Sequence, residues 1–130
     1  MVGLMMAADL ARDLRGLVSG QVLDDQPARI DRSGDFGRMI NRLPGVVVRP
    51  ASTGDVAAVI GYARRNSVPV ATRAEAHTQS GQALTDGGIL LDLSSLDRIL
   101  ASDPQGPAAD CQAGVKWETL VRQTIPQGLV

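Results

Sequence analysis

The chain has 130 residues, 44% hydrophobic and 21% charged, a size and composition suited to one globular domain with a single core. A net charge of −1 gives no electrostatic case for a nucleic-acid partner, and no apolar run reaches the length required to span a bilayer. Aromatic content is only 2%, so the core must be built from Val, Leu, Ile, Ala and Met, while the lone Cys111 excludes an internal disulfide and fits a reducing, cytoplasmic setting.

Residues 1–8 are apolar, but Asp9 interrupts them and no basic n-region precedes them, so no signal peptide is expected. Leu10, Leu14, Leu17 and Val18 recur at helical spacing and predict a helix over 4–18, stopped by Gly20. From Asp24 to Gly45 the chain is polar and broken by Pro27, Gly34, Gly37 and Pro44. It reads as an irregular lead-in with one helical turn near Met39 and Ile40.

Val46, Val47 and Val48 form a β-branched run that predicts a strand ending at Pro50. Ser52 or Thr53 then caps a helix, with Asp55 placed favourably for its dipole and Val56, Val59, Ile60 and Ala63 as the buried stripe. Arg64, Arg65 and Asn66 form its solvated end. Val68–Arg73 predicts a second strand, and the three elements together make a βαβ unit, for which a right-handed crossover is expected. After a loop over 74–88, Ile89–Leu93 is almost continuously apolar, the mark of a strand buried on both faces.

Ser94 and Ser95 cap or turn the chain, and Asp92 reads as the cap of that turn. Asp103–Pro107 is a turn, with 108–113 as the returning strand. Gly114 serves a tight strand-to-helix turn, with backbone contact to a cofactor as the alternative. Trp117, Leu120, Val121, Thr124 and Ile125 form the expected buried side of a last helix, Trp117 being a core anchor, and Cys111 is read as a small buried hydrophobe. The apolar end at Gly128, Leu129 and Val130 predicts that the chain is cut from something longer.

The loop Arg73–Gln82 holds the only histidine, His77. On its residues alone it is either a solvated surface loop or a turn whose backbone N–H groups converge on an anion. One histidine and an isolated cysteine make no zinc site, and the scattered serines and aspartates make no catalytic triad.

Four pieces stand in order. Arg49-Pro-Ala-Ser precedes a helix, Arg73 ends a strand, and His77-Thr-Gln-Ser-Gly-Gln82 closes the loop. Gly87-Gly-Ile-Leu-Leu-Asp-Leu-Ser-Ser-Leu96 follows, and Asp110-Cys-Gln-Ala-Gly-Val-Lys-Trp117 extends the match. Together they resemble the FAD-binding domain shared by p-cresol methylhydroxylase and vanillyl-alcohol oxidase, in its cytokinin dehydrogenase-like branch, from about Phe36 to Leu129.

The resemblance implies an α+β fold, a βαβ start with a small mixed sheet and flanking helices, as the first lobe of a two-lobed domain. Residues 1–35 form a helix and lead-in, and 36–130 form the lobe. In that family the loop reads Arg-Gly-x-Gly-His-Ser and cradles the FAD pyrophosphate, with the histidine often joined to the flavin. Carried over, Arg73, Ala74, Glu75, Ala76, His77, Thr78 and Gln82 are the cofactor-binding candidates, and His77 is the candidate for a covalent bond to the flavin methyl group. Both family glycines are alanine here, at Ala74 and Ala76. An alanine held at positive φ costs about 1–2 kcal/mol, so weakened FAD binding is expected.

By the same resemblance a small-molecule substrate, an amine or alcohol, belongs to a full-length relative, and no catalytic residue is assigned in this chain. The alternative is a flavin-free remnant or scaffold acting through protein contacts.

Overall fold

The computed structural model describes residues 6–129. A four-stranded mixed sheet carries the core, and a separate hairpin and a helix follow it. Helix α1 spans Ala7–Arg15, ending at Gly16 rather than at Gly20, and the expected start at Leu4 lies outside the described residues. Strand β1 (Gln21–Leu23) and helix α2 (Gln26–Asp31) follow, then β2 (Val46–Arg49), α3 (Thr53–Asn66), β3 (Val70–Arg73) and β4 (Ile89–Asp92). A 3-10 turn at Leu93–Ser95 leads to β5 (Ile99–Asp103), β6 (Ala108–Cys111) and α4 (Trp117–Thr124).

The strand order is β1-β2-β4-β3. Strand β1 runs antiparallel to β2, whereas β2, β4 and β3 are mutually parallel, with Val46 opposite Ile89 and Val70 opposite the same residue. The expected βαβ unit is present, but β4 is inserted between its two strands. That position makes β4 central, which is why Ile89, Leu90, Leu91 and Asp92 are all buried.

Alternate residues of the sheet serve its two faces. Val46, Val48, Ile89 and Leu91 pack with Leu10, Ala11 and Leu14 of α1 and with Val59, Tyr62 and Ala63 of α3. On the other face Val47, Ala71 and Leu90 form a smaller cluster against Leu23. The stripe on α3 is therefore turned from the expected one: Ile60 is 44% exposed, and Tyr62 and Asp55 are buried in its stead. Asp55 explains the rotation. Its carboxylate accepts from the backbone N–H groups of Ser19, Gly20 and Ala51, tying the turn after α1 to the start of α3. Ser52 caps that helix by accepting from Asp55 N at 3.2 Å, and Ser67 ends it in the left-handed conformation at φ 53°.

Residues 24–45 are more ordered than their composition suggests. Asp25 caps α2 by accepting from Ala28 N, and Pro27 sits in its first turn. Met39 and Ile40 form no helical turn; their backbone N–H groups instead point at the Asp35 carboxylate.

The last helix differs most from expectation. Trp117 is 79% exposed, Val121 39% and Ile125 55%, and Thr124 is its buried residue. Cys111 is exposed, on the hairpin. No helix among the described residues is long and apolar enough to cross a membrane.

Candidate functional site

In a parallel sheet, ligand-binding loops gather at the carboxyl ends of the strands. Here the loop after β3, the 3-10 turn after β4 and the start of α4 meet at that edge. The loop and the start of α4 border a groove of about 470 Å³, lined by Ala74, Glu75, Ala76 and His77 from the one and by Lys116 and Trp117 from the other.

Of the residues predicted from sequence, Arg73, Ala74, Glu75, Ala76, His77 and Thr78 all line this groove. Gln82 does not; its side-chain oxygen accepts from Ser80 N at 3.2 Å within its own loop. Arg73 anchors the loop, its guanidinium donating to the carbonyls of Arg32 (3.0 Å) and Gly34 (3.3 Å). Burial and the neighbouring Arg32 guanidinium lower its pKa from the ordinary arginine value. A further tie runs from Phe36 N to Thr78 O at 3.4 Å.

Among the described residues the backbone N–H groups of Glu75, Ala76, His77 and Thr78 make no hydrogen bond within the chain. Ala76 sits at φ 56°, whereas Ala74 is absent from the positive-φ residues. The cost anticipated for both alanines therefore falls on Ala76 alone. Two buried side-chain atoms beside the groove, Arg73 Nε and Thr78 Oγ1, also have no partner. His77 is exposed, and its ring stands edge-on to Phe36 with centroids 5.2 Å apart.

Beneath the site, Asp92 at the end of β4 is fully buried and accepts from Arg32 Nε (2.9 Å) and Arg49 Nε (3.0 Å). It also accepts from Ser94 Oγ at 2.6 Å and Ser94 N at 3.2 Å, the turn cap expected of it. Burial raises its pKa, but the Ser94, Arg49 and Arg32 contacts outweigh that and hold it below the ordinary carboxylate value. Gly114 is packed so closely that a Cβ would meet the carbonyl oxygens of Leu93 and Leu96.

Sequence reasoning missed Phe36, Lys116 and the exposed role of Trp117. Phe36 and Trp117 are two of only three aromatic residues in the chain, the one signal that could have drawn attention to them.

A sequence profile of the FAD binding domain matches residues 44–130, well over half of the chain. The chain belongs to this FAD-binding domain family. Cytokinin dehydrogenase 7 of Oryza sativa subsp. japonica is 27% identical over 135 residues, an alignment covering 98% of this chain and 26% of that protein. Among solved structures, 6-hydroxy-D-nicotine oxidase from Arthrobacter nicotinovorans superposes with a TM-score of 0.72 at 32% identity, over 85% of this chain and 24% of that one. A p-cresol methylhydroxylase structure gives a TM-score of 0.73 at 17% identity, over 94% and 25%, a likeness of fold. The chain spans about a quarter of the length of these relatives.

The residues of this FAD-binding domain fit its cofactor. A diphosphate needs converging donors and close backbone approach. Four unengaged amides border the groove, and Ala76 sits at φ 56°, a left-handed conformation of the kind glycine adopts freely. The α+β fold, with its small mixed sheet and packed helices, is that of the p-cresol methylhydroxylase-type domain.

Proposed function

We propose that this chain is the first lobe of a two-lobed FAD-binding domain within a flavin-dependent oxidoreductase acting on an amine or alcohol carbon. The observation that carries the reading is the set of unengaged backbone N–H groups from Glu75 to Thr78 along the groove. In it, Arg73 braces the loop, the amides of residues 75–78 hold the cofactor diphosphate, and Thr78 Oγ1 supplies a further hydrogen bond. His77 is the attachment point, its ring exposed and without a hydrogen-bond partner among the described residues.

Bound FAD supplies the hydride acceptor. The residues of this chain bind and orient it, while the acid or base that handles the substrate belongs to the remainder of a full-length relative. Alone, the chain is expected to bind FAD weakly and to turn over nothing.

An absorbance scan of the purified protein, mixed with FAD and then acid-precipitated, tests the reading. Yellow colour in the pellet, lost in His77→Ala, means a covalent flavin. Colour in the supernatant means a dissociable one. A protein that takes up no flavin under any condition overturns the proposal.

A second reading is favoured by the methyl groups that Ala74 and Ala76 add to the loop: a flavin-free scaffold that keeps the fold and acts through protein contacts. Its mark is a protein that stays colourless even with glycine restored at 74 and 76.

A further inference from the structure

We propose that Lys116 and the amino end of α4 form the second wall of the diphosphate site, and that Glu75 holds that wall in reserve by standing in for the ligand anion. This rests on the reading of the loop as a diphosphate cradle. Lys116 Nζ lies 3.7 Å from Glu75 Oε1 across the groove. Lys116 is also the N-cap residue of α4, and its side chain caps nothing.

That placement runs against local preference. N-caps favour Ser, Thr, Asp and Asn, and the amino end of a helix carries partial positive charge, so a cation there is unfavourable. A local choice that conflicts with the fold marks a position set by function. The lysine, the uncapped helix end and the unengaged loop amides all border one groove, which also holds two carboxylates: Glu118, paired with Arg122, and Glu75, paired with Lys116.

The pair is built to open. The Lys116 and Glu75 side chains are 63% and 44% exposed, so water screens their attraction. A diphosphate brings more charge and more acceptor oxygens than one carboxylate, and it displaces Glu75 from Lys116. The displaced carboxylate keeps cationic neighbours, because Glu75 also lines a second cavity of about 490 Å³ bordered by Arg32, Arg73, Asp97 and Lys116 itself. Glu75 is thus an internal competitor that sets the affinity of the site.

The test is a titration of FAD into the wild-type chain, Glu75→Gln and Lys116→Gln, read by quenching of flavin fluorescence at several salt concentrations. Both side chains are exposed, and thermal melts check that each variant stays folded. Glu75→Gln should bind about fivefold more tightly, and Lys116→Gln about fivefold more weakly with a flatter salt dependence. FAD bound equally by Lys116→Gln and wild type, or no more tightly by Glu75→Gln, overturns this inference and leaves the loop reading standing. Failure of every variant to bind, including one with glycine at 74 and 76, overturns both.

Discussion

Arg49 Nε donates to Asp92 Oδ2 at 3.0 Å, joining the carboxyl ends of the two central strands through a side chain that is 1% exposed. Arg32 Nε reaches the same oxygen at 2.9 Å, so one carboxylate gathers β2, β4 and the segment after α2 under the groove. Asp92→Asn would leave two guanidinium groups without their counter-charge. Their side chains are 25% and 33% exposed, and water softens the loss to about 2–3 kcal/mol. Urea denaturation measures it, and an unchanged midpoint would show that the cluster contributes nothing.

Asp55 predicts how stability responds to acid. Burial raises its pKa, but hydrogen bonds from Ser19, Ala51 and Gly20 outweigh that and lower it below the ordinary 3.8. A carboxylate whose pKa is depressed in the folded state adds stability above its unfolded pKa and loses it as pH falls through the folded value. Stability should therefore drop steadily from about pH 4 downward. In Asp55→Asn the drop should be shallower. That variant keeps one acceptor oxygen, which at the Oδ2 position still serves Gly20 and Ala51, and turns an amide NH2 toward Ser19 N–H, so it should start about 1–3 kcal/mol less stable at neutral pH. Equal acid slopes would remove Asp55 from the account.

The two loop alanines should respond differently to glycine. At Ala76 the substitution relieves a left-handed strain of about 1–2 kcal/mol and adds unfolded-chain entropy costing about 0.4–1 kcal/mol, for a net gain of up to about 1.6 kcal/mol. At Ala74 only the entropic cost remains, and Ala74→Gly should be slightly destabilising. Paired thermal melts decide it, and equal shifts for the two would contradict the loop geometry.

Gly114→Ala should be among the most damaging small substitutions, at about 2–3 kcal/mol. Its new methyl group would press on the carbonyl of Leu96 at 2.8 Å, the oxygen that already accepts from Gly114 N. Because this turn seats the start of α4, the groove should loosen as well. Protection of the Gly114 and Trp117 amides in hydrogen exchange should fall ahead of that in β4, and uniform loss across the chain would argue for a global effect only.

What could be read directly from the sequence was local. Three consecutive valines, the Ser52 cap, the unbroken apolar run at Ile89–Leu91 and the Asp103–Pro107 turn each carry their own signal, and β2, α3, β4 and the hairpin lie where those signals put them. Strand β1 has only three residues and exists by pairing with β2, a contact no local pattern announces. Helix α2 is hidden in a stretch that reads as an irregular lead-in, where Pro27 looks like a break, and in six residues it shows no periodicity. Trp117 and Val121 follow helical spacing, yet spacing shows only that they share a face, and what lies against that face is set by the rest of the fold. The same holds for the groove. Its loop wall was legible in the run from Arg73 to Thr78, whereas Lys116 reaches it from a segment distant in the chain, as Phe36 reaches the His77 ring.

The insertion of β4 between β2 and β3 also orders the events of chain synthesis. A nascent chain that has emerged only as far as Gly88 holds two apolar strands with a vacant slot between them and facing edges that pair with nothing. Such edges invite association with other chains. Only the β1–β2 pair can form before Ile89–Asp92 is made, and the open edges of β2 and β3 have to be kept from other partners until that late strand arrives.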